Sequence, residues 1–129
     1  MRESILAYGK EKYQSEAEYL WKDTPDAAVL RHRDNQKWYA LVMKVSRTRL
    51  GLCEEGEVDI LNVKCDPDMV MMLQGTKGFL PAYHMNKTKW ISILLDGTVK
   101  KNTVLDLLDQ SFSLTGKKQG QTDESVPKI

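Results

Sequence analysis

Two stretches of the chain carry histidine, asparagine, basic residues and tryptophan in a similar order. The first reads RHRDNQKW over residues 31–38, and the second reads YHMNKTKW over residues 83–90. His32 and His84 each precede a tryptophan by six residues, and a lysine stands directly before each tryptophan. Lysine and arginine bind phosphate groups, and an indole ring stacks on a nucleobase or anchors a strand. The repetition predicts two basic corners that contact nucleic acid as a pair of wings.

The nucleic-acid hypothesis draws its contacts from both corners and from the segment Arg47-Thr48-Arg49. The candidate residues are Arg31, His32, Arg33, Asn35, Lys37, Arg47, Arg49, His84, Asn86, Lys87 and Lys89. A structural role is the alternative for the asparagines and histidines, which often serve turns and internal hydrogen bonds. Trp38 and Trp90 also follow turns, where tryptophan commonly begins a strand and packs in the core. The arginines and lysines are too numerous for salt bridges alone, so the hypothesis depends on them.

The sequence lacks the patterns that support catalysis. Residues 75–78 (GTKG) do not have the glycine spacing of a phosphate-binding loop, and no G-x-S-x-G nucleophile motif occurs. Cys53 adjoins Glu54 and Glu55, whose negative charges disfavour the thiolate that a cysteine nucleophile needs. We therefore predict no catalytic residue, no cofactor and no enzymatic activity.

The possible metal ligands are also poorly spaced. The two histidines and the two cysteines, Cys53 and Cys65, lack the short paired spacing of a zinc site. The acidic block over residues 54–59 could attract hard cations, although a solvated turn and strand edge is the favoured interpretation. We predict no metal site and keep cation binding by this block as a minor alternative.

The net charge of +1 conceals an uneven distribution along the chain. Residues 30–50 carry six basic side chains against one acidic, and residues 76–101 carry five against one. Residues 51–75 reverse this balance, with six acidic side chains against one basic. If the two basic blocks meet in the fold, the protein has a positive face despite its near neutrality. A mixed, solvated surface is the alternative.

Length and composition indicate one ordinary globular domain. The chain has 129 residues, of which 41% are hydrophobic and 29% charged, which is enough for a single core. Its start lacks the apolar region of a secretory signal, and no stretch reaches the roughly 18 apolar residues of a membrane span. Two cysteines in such a chain favour free thiols and a reducing compartment. We predict a cytoplasmic monomer that does not bind membranes.

The elements that must position the two corners form an α+β pattern. Hydrophobic periodicity and turn residues predict the order α-β-β-β-α-β-β-α. The predicted segments are a helix over 3–14, strands over 27–33 and 38–43, a strand over 57–65, a helix over 66–75, a hairpin over 78–97 and a helix from Thr103. Consecutive hairpins imply a single domain with an antiparallel sheet of about five strands, covered by helices on one side. This domain spans residues 1–115, and the polar run over 116–129 is predicted to be a flexible tail.

The short helix over 66–75 carries clear local signals. Asp66 is expected to cap it with its side chain, Pro67 suits its first position, and Gly75 can end it. Its methionines are expected to pack in the core, although methionine-rich surfaces also receive partner proteins. These methionines are Met69, Met71 and Met72. A protein-interaction or chaperone-like module of unknown partner is therefore the main alternative function.

The last helix is expected to open with a variant of the capping box. Thr103 and Asp106 have the spacing of this motif. Leu105, Leu108 and Phe112 then fall on one helical face, which should pack on the sheet.

Four longer strings give the sequence a family likeness. They are EYLW (18–21), VLRHRDNQKWYALVM (29–43), LNVKCDP (61–67) and GFLPAYHMNKTKWISILLDG (78–97). On these strings the chain resembles the MmcQ/YjbR family of small bacterial proteins over residues 1 to about 115. The resemblance implies a CyaY-like or secretion-chaperone-like fold and DNA binding through a double wing. By analogy with this frataxin-like fold, metal binding by the acidic block over residues 54–59 is a less favoured alternative. Lys89 stands where members often carry histidine, and a lysine there keeps the ability to contact a phosphate.

Overall fold

The computed structural model describes residues 1–116, which form three helices and one five-stranded sheet. The helices are α1 (Arg2–Tyr13), α2 (Pro67–Leu73) and α3 (Lys101–Thr115). The strands are β1 (Ala28–Arg31), β2 (Trp38–Ser46), β3 (Glu57–Lys64), β4 (Phe79–Pro81) and β5 (Trp90–Leu94), with a 3-10 turn over Thr48–Leu50. The predicted α+β class and element order are confirmed. Apart from Gly116, the predicted tail lies outside the described residues.

The strand order is β1-β2-β3-β5-β4, and every neighbouring pair is antiparallel. The two hairpins, β1-β2 and β4-β5, therefore flank β3. The chain before β1 covers the edge of that strand, because Glu18 and Val29 exchange two backbone hydrogen bonds. The other edge strand, β4, has only three residues and ends in Pro81, which has no N–H to donate. Both edges thus offer little to an added strand.

The helices pack on one face of the sheet. Because strand residues alternate between faces, Leu61 and Ile93 point towards the helices, where they meet Ile5 of α1 and Leu108 of α3. All four side chains are fully buried. A register shift in the β1-β2 pairing brings Tyr39 into the same core. The opposite face carries two smaller apolar clusters without any residue of α1, α2 or α3. Among residues 1–116, no helix is long and apolar enough to cross a bilayer.

Helix α2 begins at Pro67 as predicted, because proline fits the first turn, where the N–H has no helical partner. The expected side-chain cap is wrong, since Asp66 makes no such hydrogen bond. Its backbone carbonyl instead accepts the first helical hydrogen bond, from the N–H of Val70. The helix ends at Leu73, two residues before Gly75, whose φ of 93° favours a glycine.

The methionines of α2 do not all pack in the core. Met69 contacts the helix-side core beside the buried Val70, as expected. Met71 and Met72 are 75% and 73% exposed, so the core prediction is wrong for these two. A helix of two turns that packs through one stripe leaves the intervening positions facing water.

Helix α3 begins at Lys101, two residues before the predicted start. Val104 donates its N–H to the carbonyl of Lys100, so the helix opens before Thr103, and no side chain caps it. The buried stripe is also shifted by about one residue from the predicted face. It consists of Val104, Leu107, Leu108, Ser111 and Thr115. The hydroxyl of Ser111 is buried because it donates to the Tyr39 carbonyl and accepts from the Lys64 N–H.

Candidate nucleic-acid interface

The two basic corners lie at the same end of the sheet. β1 ends where β2 begins, with Arg31 paired to Trp38. β3 ends beside the start of β5, and β4 ends there as well. Neighbouring strands are about 4.8 Å apart, so the centres of the two hairpins are about 14 Å apart, with β3 between them. Residues 32–37 form the first tip and residues 82–89 form the second tip.

His32 lies inside the first tip and is only 4% exposed. Its Nε2 atom is 2.9 Å from the hydroxyl of Thr115, and its ring stacks on Phe112 with the centroids 4.0 Å apart. Burial lowers the pKa of His32 below its ordinary value. His32 therefore fastens the tip to α3 and does not present its ring to solvent.

Two more candidate residues build the first tip. The side-chain amide of Asn35 donates to the Thr115 carbonyl at 2.9 Å, and its oxygen accepts the N–H of Lys37 at 2.8 Å. Arg31 donates two hydrogen bonds to Glu18, at 2.8 and 2.6 Å. The hydrogen bond from Arg31 lowers the pKa of Glu18, which stays charged beside it. Arg31 is thus neutralised within the protein.

The second tip is shaped by Asn86 and Lys87. The side-chain oxygen of Asn86 accepts the backbone N–H of Thr88 at 2.9 Å, which closes the turn. The ammonium group of Lys87 donates to the Ala82 carbonyl at 2.8 Å. That hydrogen bond uses one of its three N–H donors, and the other two are left for an external acceptor.

The two histidines occupy similar sequence positions but different environments. His84 is exposed, with a φ of 62° in the left-handed region, and its ring lies 4.1 Å from that of Tyr83. His32 is buried against α3, as described above. The repetition of the two strings therefore produces similar turns but not equivalent side-chain positions.

Arg47 and Arg49 lie at the far end of the sheet from the tips. They follow β2, whose nine residues separate its two ends by about 26 Å. Arg47 donates to the Glu57 carbonyl at 3.0 Å, and its Nε lies 3.9 Å from Glu54. Arg47 thus holds the β2-β3 connection together, whereas Arg49 is exposed. The structure does not bring this predicted segment together with the tips.

Exposed basic side chains remain on both tips. They are Arg33, Lys37, Lys87 and Lys89. One guanidinium nitrogen of Arg33 donates to the Gln14 side chain at 3.3 Å, which leaves its other donors available. Within residues 1–116, none of the four forms a salt bridge. Asp34 is the one acidic residue of the tips, so the two tips together carry a surplus of positive charge, with Asp66 and Asp68 following β3 between them.

A groove of about 710 Å³ runs over the face of the sheet that the helices leave open. Its floor is formed by β2, through Trp38, Leu41, Met43 and Val45. Residues from segment 21–27 form one wall, and residues 83–85 of the second tip form the other. Trp21 lies edge-on to Trp38, with the ring centroids 5.7 Å apart. We call this site the open-face groove.

A buried polar pair holds the second wall in place. Asn62 and Ser92 are both fully buried on the open face, side by side on β3 and β5. The Asn62 amide donates to the Tyr83 carbonyl at 3.1 Å, and the Ser92 hydroxyl accepts the Tyr83 N–H at 2.9 Å. The Ser92 hydroxyl also donates to the Asn62 side-chain oxygen. Both backbone groups of Tyr83 are therefore tied to the sheet.

Sequence analysis did not identify the open-face groove. Strand β2 is apolar at nearly every position from Trp38 to Val45, which indicates a strand that is covered on both faces. The helices cover one face, so the apolar run was a signal that other segments cover the second. Which segments do so depends on contacts between residues far apart in the chain.

The two cysteines are not bonded to each other. Cys65 is buried at the end of β3, and burial raises the pKa of its thiol to about 11. Cys53 is exposed in the β2-β3 connection. In the part of the chain that the structure describes, no three His, Cys, Asp or Glu side chains are grouped as metal ligands.

Known proteins resemble this chain in sequence and in fold. It is 46% identical over 114 residues to the Uncharacterized protein YyaQ of Bacillus subtilis (strain 168), which covers 88% of this chain and 97% of YyaQ. A crystal structure of a Pseudomonas syringae protein superimposes with a TM-score of 0.87 at 38% identity, covering 90% of this chain and 99% of that one. A Deinococcus radiodurans structure, described as a DUF419 domain, shares the fold with a TM-score of 0.70 at 23% identity. The match covers 99% of this chain and 86% of that one.

The YjbR family model matches residues 10–114, which is most of the chain and includes both tips and the sheet. The resemblance drawn from the four sequence strings is thereby confirmed. The chain belongs to the YjbR family.

Proposed function

We propose that this protein binds DNA weakly and with little sequence specificity, through phosphate contacts made by its two hairpin tips. The observation that carries the proposal is the position of both tips at one end of the sheet. The tips are about 14 Å apart, which is close to the width of about 12 Å of the DNA major groove. Two basic tips at this distance can contact the two phosphate backbones that border one groove.

The charges available for such contacts support weak binding. Arg33, Lys37, Lys87 and Lys89 are exposed, and none forms a salt bridge within residues 1–116. Arg, Lys, Gln and Asn side chains are exposed on the tips and could reach base edges, but neither tip is a helix that could enter the groove and fix them there. Affinity then comes mainly from phosphates and depends steeply on salt.

The test is the salt dependence of binding to a fluorescently labelled DNA duplex. With about four phosphate contacts at 0.9 per contact, the log-log slope should be about −3 to −4. The double substitution Lys37→Gln and Lys89→Gln should lower the magnitude of this slope by about 2. At about 0.1 M salt it should weaken binding by about 60-fold, because each of the two contacts contributes roughly eightfold relative to 1 M salt.

A matched control separates the tips from overall charge. Lys77→Gln with Lys101→Gln removes the same net charge from exposed positions. Both positions lie near the far end of the sheet, just before β4 and at the start of α3. This control should bind with nearly unchanged slope. Equal losses in the two double variants, or a slope near zero for the unmodified protein, would contradict the proposal.

The exposed methionines of α2 favour a second candidate, a protein-interaction module. Met71 and Met72 are adjacent and both about three-quarters exposed, which is unusual for large apolar side chains. An apolar partner surface could pack on this pair. The double substitution Met71→Gln and Met72→Gln, which adds no charge, should then abolish a stoichiometric complex that survives high salt and should leave DNA binding unchanged. If a purified complex persists in that variant, this candidate fails.

A further inference from the structure

We infer that the open-face groove takes a short single-stranded stretch of nucleic acid, with its bases against the aromatic walls. The inference rests on the proposed function, because the ligand is again a nucleic acid. It states where the unpaired bases of that ligand bind. It goes further by placing contacts to the bases on the open face of the sheet, apart from the phosphate contacts of the tips.

The shape of the groove suits an extended chain. Its floor follows β2 from Trp38 to Val45, a distance of about 23 Å at 3.3 Å per residue. At about 710 Å³ it has the size of an ordinary ligand pocket, but that volume is spread along a strand. A linear polymer uses such a channel over its whole length.

Aromatic side chains stand on both sides of the floor. Trp21 and Trp38 form one pair, with centroids 5.7 Å apart, and Tyr83 and His84 form the other at 4.1 Å. Trp21 is 38% exposed, and both Trp38 and Tyr83 are partly exposed, so their rings are accessible from the groove. Aromatic rings that line a groove bind successive bases by stacking, without strong sequence preference.

Basic side chains stand at both ends of the groove. Of the charged residues that border it, Arg49 and Glu57 lie at one end, whereas the Lys44 side chain shares the helix-side face of β2 with Val42. Lys37 precedes the floor residue Trp38, so the basic first tip adjoins one end of the groove while Arg49 stands at the other. A phosphate backbone can therefore follow basic side chains from the tip onto the sheet. A peptide that adds a strand has no suitable place, since both sheet edges are short or covered.

The test compares an oligothymidylate of about 10 nucleotides with a duplex of equal length, both labelled with fluorescein. Trp21→Ala should weaken binding of the oligothymidylate about tenfold or more, because it removes one stacking ring. The same substitution should leave duplex affinity within about twofold. The intrinsic tryptophan fluorescence of the unmodified protein should fall on adding oligothymidylate, since two of the three tryptophans line the groove.

Tyr19→Ala is the matched control, because Tyr19 is an exposed aromatic residue two positions away that does not line the groove. It should bind oligothymidylate normally. Arg49→Gln is a second probe. It should reduce the magnitude of the log-log slope of oligothymidylate affinity against salt by about 0.7, which is the value for one phosphate contact on a single strand. This exposed position can be changed without disturbing the core.

The outcomes separate this inference from the proposed function. Equal affinities for oligothymidylate in Trp21→Ala and Tyr19→Ala, or no change in fluorescence on binding, overturn the groove inference even if duplex binding is intact. The inference is also overturned if Trp21→Ala loses the ability to bind a hydrophobic peptide but still binds oligothymidylate. If the unmodified protein binds neither DNA form at low salt, the proposed function itself fails.

Discussion

The hydroxyl of Ser92 should contribute strongly to stability, because it joins the second tip to the sheet. Ser92 is fully buried, accepts the N–H of Tyr83 at 2.9 Å and donates to the side-chain oxygen of Asn62. Ser92→Ala leaves the Tyr83 N–H and the Asn62 oxygen without their partner. A buried polar group that loses its hydrogen bond costs about 1–3 kcal/mol. For two such groups, we expect the free energy of unfolding to fall by about 2–6 kcal/mol.

Urea denaturation followed by tryptophan fluorescence measures this loss directly. Ser113→Ala is the matched control, because Ser113 is exposed on α3 and forms no side-chain hydrogen bond among the described residues. The control should change stability by no more than about 0.5 kcal/mol. If Ser92→Ala falls within that same range, the polar pair does not hold the tip as described. The variant should also weaken single-strand binding, because the wall at residues 83–85 loses its anchor.

Two further predictions concern stability at other points of the fold. The pKa of His32 is lowered in the folded state by burial, so the stability it provides is complete above about pH 6.5 and decreases as the pH falls below that value. His32→Gln should flatten the pH dependence of urea midpoints between about pH 7 and 5, whereas His84→Gln should retain it. Gly78→Ala should destabilise the protein by about 2–4 kcal/mol, because φ is 94° and the new Cβ would lie 2.5 Å from a Val99 methyl group. Gly75→Ala, with a similar φ of 93° and open space around it, should cost only about 1–2 kcal/mol, and equal thermal midpoints for the two would contradict the predicted clash.

Local sequence signals were sufficient for most of the fold. Alternating apolar residues and flanking glycine or proline set the strands, and Pro67 marked the start of α2. The buried face of α3 was misplaced because its buried stripe includes Ser111 and Thr115. These polar residues belong in the core only because they bind Tyr39 and His32 on other elements. No hydrophobic pattern encodes such contacts.

The site was less predictable than the fold, because the roles of charged and polar residues depend on distant partners. Arg31 and Lys37 look equivalent in the sequence, but Glu18 neutralises Arg31 while Lys37 stays exposed. His32 and His84 share a motif, and only the first meets α3. The open-face groove likewise requires segments 21–27 and 83–85 to meet over β2. Local patterns therefore suggested a larger basic surface than the folded chain presents.

The location of DNA binding is the most direct test of the proposed interface. Backbone amide shifts of isotope-labelled protein should be followed by NMR during titration with a short duplex at low salt. We predict that the largest shifts cluster at residues 32–37 and 86–89, with small changes over the far end of the sheet around Arg47. Shifts that cluster at that far end or on the outer surface of α1, or no shifts at all, would contradict DNA binding by the two tips.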